Sequence, residues 1–260
     1  MMKAKKLFLI KAGLLIPFIL FTVLLTEAQY IAAGDTSSAV KDFANKIRLA
    51  YGNAAYLEFR MKYRYANENR PGQYLDSISG EVEMDKGRSR TVLDGMETVL
   101  TGRYAIQVMP DSKAIYVAAA RPVVVQNPLP MLDSIFAHIG GIKPTIEYRA
   151  GWDVLTLDFP PGQPYSRMQM SIDDRTGYFQ RVEYSLNTAG LVGQEMIESP
   201  GHPGPYQSRG RIVIQFSDYR QGHFDDRLFR EDNFFTRVGG RYEPASQYKD
   251  YHIYVTSSNL

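Results

Sequence analysis

Four histidines, at positions 138, 202, 223 and 252, are the residues of this 260-residue chain best suited to acid–base chemistry or metal ligation. No two stand at a helical or strand spacing that would aim both at one ion, so the sequence offers no zinc pattern. His202 sits in a Gly/Pro-rich stretch and His223 follows Gln221-Gly222, which places both in solvated loops. The acidic pairs Asp173-Asp174 and Asp225-Asp226 are a second candidate. Neighbours on a strand point to opposite faces, so adjacency does not assemble a carboxylate pair, and Asp173-Asp174 reads as the shaper of a turn. Neither pair follows the EF-hand loop. The nucleophile elbow, the Walker A loop and the dinucleotide glycine fingerprint are absent, and the S-x-x-K matches at Ser38/Lys41 and Ser246/Lys249 lack their companion motifs. With no cysteine in the chain, thiolate nucleophiles, disulfides and lipidation of a cysteine are excluded. The reading is a non-enzymatic protein with neither cofactor nor metal.

What remains for function is an apolar surface. Leu57, Phe59, Met61 and Tyr63 alternate with charged residues, as do Ile106 and Val108, Met168 and Met170, Val182 and Tyr184, and Ile212, Ile214 and Phe216 with their polar neighbours. With Met131, Ile135 and Phe136 from a helical stripe, these form the candidate ligand-binding set. Either they are a core closed by helices, or they line a cavity for acyl chains, to which adaptable methionine and aromatic side chains are suited.

The elements that must hold this surface follow from spacing. Asp35 to Tyr51 predicts an amphipathic helix, with Val40, Phe43, Ala44, Ile47 and Tyr51 on one face and Gly52 as its stop. A series of short strands joined by Asp/Gly-rich turns follows, from Leu57 to Ala118. Pro128 and Pro130 precede a second helix over Met131 to Ile139, ended by Gly140-Gly141. Strands resume at Thr145 to Tyr148, Asp153 to Phe159, Arg167 to Ile172, Tyr178 to Leu186 and Arg211 to Phe216, and Tyr248 to Val255 could close the sheet. Ser199 to Gly210 is too rich in Pro and Gly for regular structure and predicts a surface loop. The fold class is α+β: one curved antiparallel sheet, an incomplete barrel, with two helices over its concave apolar face.

The N-terminus supplies a compartment. Lys3, Lys5 and Lys6 precede an apolar run from Ala12 to Leu25 and small residues near Ala28, the layout of a cleavable signal peptide over 1–28. The run is shorter than the ~20 residues of a spanning helix. Its loss removes Lys3, Lys5, Lys6, Lys11 and Glu27, and the formal charge of +2 falls to about −1. A near-neutral surface without basic runs argues against nucleic acid as a partner. Residues 29–260 then form a single domain with an irregular insertion at 191–210.

The order of elements resembles the LolA/LolB-like family of periplasmic lipoprotein carriers. Short segments carry the resemblance: Val40 to Ala50; Gly87-Arg88-Ser89-Arg90 before Val92-Leu93-Asp94-Gly95; Pro130-Met131-Leu132; Ser171 to Gly177 before Arg181-Val182-Glu183-Tyr184; and Ile212 to Phe216 followed by Phe229. The resemblance implies a half-barrel whose apolar face carries lipoprotein acyl chains, or another lipid, across the periplasm from an inner-membrane donor to an outer-membrane acceptor. Exposing such a chain to water costs ~0.8 kcal/mol per CH₂, hence the need for an enclosed carrier. The alternative is an envelope interaction module with a filled core, binding through the 191–210 loop or the tyrosines of the tail (Tyr242, Tyr248, Tyr251, Tyr254).

Overall fold

A computed structural model describes residues 38–85, 87–120, 135, 139–198, 204–222 and 225–257. The signal peptide expected over 1–28, Met131 and Phe136, and His138, His202 and His223 lie outside the described residues.

The first helix, α1, runs Ser38–Asn53, with Val40, Phe43, Ala44, Ile47 and Tyr51 all buried, as the helical spacing of the apolar residues predicts. Fourteen strands follow: β1 Tyr56–Asn67, β2 Tyr74–Asp85, β3 Arg88–Leu93, β4 Met96–Leu100, β5 Tyr104–Met109, β6 Ala114–Ala119, β7 Lys143–Arg149, β8 Trp152–Asp158, β9 Tyr165–Asp173, β10 Phe179–Asn187, β11 Arg209–Arg220, β12 Phe235–Val238, β13 Arg241–Pro244 and β14 His252–Val255. Twelve of them form one open sheet in the order β14-β6-β5-β4-β3-β2-β1-β11-β10-β9-β8-β7, and β12 and β13 form a separate hairpin. No described helix is long and apolar enough to cross a membrane.

Two expectations need correction. The sheet is mixed rather than antiparallel, because β14 pairs in parallel with β6, from His252 opposite Ala114 to Val255 opposite Val117. The chain reaches that edge through the β12–β13 hairpin, not through a tight turn, so it can arrive in the parallel sense. One α-helix of regular length is present among the described residues, not two; of the second predicted helix, Ile135 is helical and its carbonyl accepts the Ile139 N–H at 3.0 Å. The described residues of the 191–210 insertion make fixed contacts: Val192, Ile197 and Tyr206 are buried, Ile197 bridges Tyr206, and the Tyr206 hydroxyl donates to Asp76 at 2.6 Å.

The described chain divides into two compact units, one comprising residues up to 51, 62–78 and 127–216, the other 52–61, 79–126 and 217–260. The strands β1, β2 and β11 each contribute residues to both.

Candidate functional site

In the first unit the strand registers assemble two apolar rows. Leu155, Met170, Val182 and Ile214 stand side by side across β8, β9, β10 and β11, and Leu157, Met168, Tyr184 and Ile212 make the next row. Leu155, Leu157 and Met170 have no exposed surface. Alternation alone would not align β10 with its neighbours. A register shift between Phe179 and Arg181 lets Phe179 face Ile172 on the apolar side while Val182 and Tyr184, three and five residues on, face the same way.

The helix α1 covers one end of this face, and its contacts are specific. The Lys46 ammonium meets the buried Asp153 carboxylate at 2.5 Å, and the Tyr51 hydroxyl oxygen accepts the Phe179 N–H at 3.3 Å. The Tyr51 ring packs edge-on to Tyr178, with centroids 5.4 Å apart. Gly177, at φ +73°, closes the β9–β10 turn beneath the helix; a Cβ there would lie 2.8 Å from the Lys46 carbonyl oxygen and 3.0 Å from the Ala50 Cβ. Both the dihedral and the close approach require glycine. The turn itself is built by Asp173, whose carboxylate accepts the N–H groups of Arg175 and Thr176 and the Thr176 hydroxyl. Asp173 is therefore a turn residue, as the sequence predicts. The backbone N–H of Thr176, foremost, holds this carboxyl below the usual carboxylate range.

Toward the other end, Tyr65 lies over Gly210, where a Cβ would come within 2.2 Å of its hydroxyl, and that hydroxyl shares a hydrogen bond of 2.8 Å with the buried Thr188. Burial raises the pKa values of Tyr63 and Tyr184, so both phenols stay neutral. A cavity of about 20 Å³ is lined by Tyr63, Tyr65, Ile78, Val192, Tyr206 and Ile212. That is room for one water and not for an acyl chain.

The other predicted site residues divide. Phe59 stacks on Tyr219 at 5.1 Å, and Leu57 and Met61 are buried along β1 in the second unit. Ile106 and Val108 are buried with Val99, Ile115 and Val117 against Phe229, Phe234 and Phe235, flanked by Tyr242, Tyr248 and Tyr251. The C-terminal segment is thus a cover. It is docked by Asp226 to Arg88 at 2.6 Å, with the Arg88 guanidinium 4.7 Å from the Phe229 ring, and by the Thr101 hydroxyl donating to Glu231 at 3.1 Å. Of the tail tyrosines only Tyr254 is exposed, stacked on Tyr116. Sequence reasoning missed the β12–β13 hairpin, although Gly239-Gly240, both at positive φ, is its turn signal.

No family model and no curated protein matches the chain. Among solved structures, an uncharacterized conserved protein from Thermus thermophilus aligns over 84% of this chain and 99% of its own at 9% identity and TM-score 0.46. A LolA superfamily protein from Nitrosomonas europaea aligns over 75% and 98% at 14% identity and TM-score 0.35. A MucA/MucB complex from Pseudomonas aeruginosa aligns over 80% of this chain and 63% of the matched one at 14% identity and TM-score 0.38. At these identities and TM-scores the likenesses assign neither fold nor family.

Proposed function

We propose that this chain is an exported, non-enzymatic binding protein of the cell envelope whose α1-covered apolar face takes up an acyl chain. The observation that supports this most is the pair of four-residue apolar rows, with Met168 and Met170 at their centre, in the same unit as an amphipathic helix whose contacts include the Lys46–Asp153 ion pair and the Tyr51 hydrogen bond. Unbranched methionine side chains change rotamer at low cost, so they can yield to an inserted chain and refill the space when it leaves. With only about 20 Å³ open beside Tyr63 and Ile212, uptake must accompany displacement of covering residues. The cargo in this reading is the acyl chains of lipoproteins, handed from an inner-membrane donor to an outer-membrane acceptor in a periplasm.

Loosening the helix tests it. Lys46→Met with Asp153→Asn removes the ion pair that holds α1 without leaving a buried charge. The double variant should take up a fluorescent fatty acid faster than the parent while keeping the parent's far-ultraviolet circular dichroism. Uptake at the parent's rate, or a protein purified from periplasm without co-purifying lipid by mass spectrometry, would overturn the carrier reading. The same small cavity favours the second reading, an interaction module with a permanently filled core, and those outcomes would establish it in the carrier's place.

A further inference from the structure

On the opposite face of β8 to β11, the side chains that alternate with the apolar rows make a second feature. Val154, Ser171 and Arg181 stand in one row, and Gln169 and Glu183 in the next. With Arg211 from β11, and Arg149 and Trp152 from the β7–β8 hairpin, they line an open cavity of about 460 Å³, within the range of small-molecule sites. The shift at Phe179/Arg181 that turns Phe179 toward the apolar side is what brings Arg181 onto this one.

The charges here do not balance. Glu183, largely buried, is shared by two guanidiniums: one carboxylate oxygen takes Arg181 Nε at 3.0 Å and Nη2 at 2.7 Å, and the other takes Arg211. Arg149 is engaged by Glu147 at 2.5 Å. Two cations on one carboxylate leave a surplus positive charge, and Arg211 Nε is buried with no hydrogen-bond partner among the described residues. Arg181 and Arg211 are both partly exposed, and an anion in the cavity would be attracted by the surplus charge and engage the donors that Glu183 leaves free. The guanidiniums come from three strands, which suits an oxyanion with three free oxygens better than a planar carboxylate. Beside them, half-exposed Trp152 offers a ring face at the rim.

We propose that this cavity binds a phosphate monoester carried on a ring, with the phosphate between Arg181 and Arg211 and the ring against Trp152. The site goes beyond the acyl-chain reading and does not depend on it. Trp152 is the one tryptophan of the chain, so emission reports on the cavity directly. Titrating the full chain with phenyl phosphate should give a saturable change in Trp152 emission that weakens with salt, while phenol should give none. Arg181→Gln and Arg211→Gln should each weaken the affinity by at least ~10-fold. Glu183→Gln removes the competing carboxylate and should tighten it, a gain that misfolding cannot produce. Vesicles containing phosphatidylinositol 4-phosphate, whose phosphate monoester is carried on the inositol ring, titrated in parallel, separate the sources: tighter response to vesicles assigns a lipid headgroup, and tighter response to phenyl phosphate a soluble ester. Absence of saturation with both probes, or affinity unchanged in Glu183→Gln and both arginine variants, would overturn the site.

Discussion

The two units bury apolar sheet faces in different ways. In the second, the face containing Ile106 and Val108 is sealed by the chain's own C-terminal segment, whose Phe229, Phe234 and Phe235 pack on it, Phe235 edge-on to Tyr104 and Tyr242, and whose charges are tied to Arg88 and Thr101. In the first, the rows built on Met168 and Met170 belong with a helix held by Lys46 and Tyr51. Aromatic rings are rigid and lose much when their geometry is disturbed, whereas methionine adapts. The contrast teaches that two stretches of alternating apolar residues, alike in sequence, can be closed by rigid rings in one place and lined by adaptable methionines in another.

The largest test of that contrast is Phe235→Ala. Its ring lies 5.3 Å from Tyr104 and 5.1 Å from Tyr242 and is almost fully buried. The loss should be ~3–5 kcal/mol in urea unfolding, against less than ~1.5 kcal/mol for Met168→Leu. Comparable losses for the two would erase the distinction.

Next comes Gly177→Ala, which places a Cβ against the Lys46 carbonyl in a backbone conformation unfavourable to alanine. A cost of ~1–3 kcal/mol is expected, with faster amide exchange in α1 as the sign that the helix contact is what suffers. Unchanged exchange there would mean that the turn does not hold the helix. Tyr65→Phe, which leaves the buried Thr188 hydroxyl without its ring partner, should cost ~1–2 kcal/mol by thermal melting. A neutral result would show that Thr188 finds another acceptor.

The smallest effect is a pH dependence. Asp173 has a folded pKa below its unfolded one, so the unfolded chain takes up the proton first. Its contribution is complete above the unfolded value of ~3.9 and is lost as pH falls through the folded value. Asp173→Asn keeps an acceptor for the Thr176 N–H but cannot ionise, and its unfolding free energy should fall less steeply below about pH 4 than that of the parent. Parallel profiles would remove Asp173 from the acid response.

Much of the fold was legible locally. The strands β8, β9 and β10, the buried stripe of α1 and the turn at Asp173 follow from spacing and turn chemistry that a few neighbouring residues carry. The apolar residues of the candidate face were legible in the same way, since alternation assigns a side chain to one face of its strand. The polar cavity was not. Arg149, the Arg181/Glu183 pair and Arg211 lie on three separate strands and look like ordinary charged strand faces until strand pairing makes them neighbours.

By itself, then, the sequence determined which residues alternate, where the chain turns, and that any chemistry must proceed without a thiol, because these depend on residue types and short-range geometry. The tertiary structure alone decided three matters: that β14 runs parallel to β6, that the tail covers Ile106 and Val108, and that a one-residue shift after Phe179 sends Arg181 to the polar side. Each depends on which distant segments meet and in what register. A slip of one residue exchanges the two faces of a strand, and nothing in its local pattern records which partner will hold it in place.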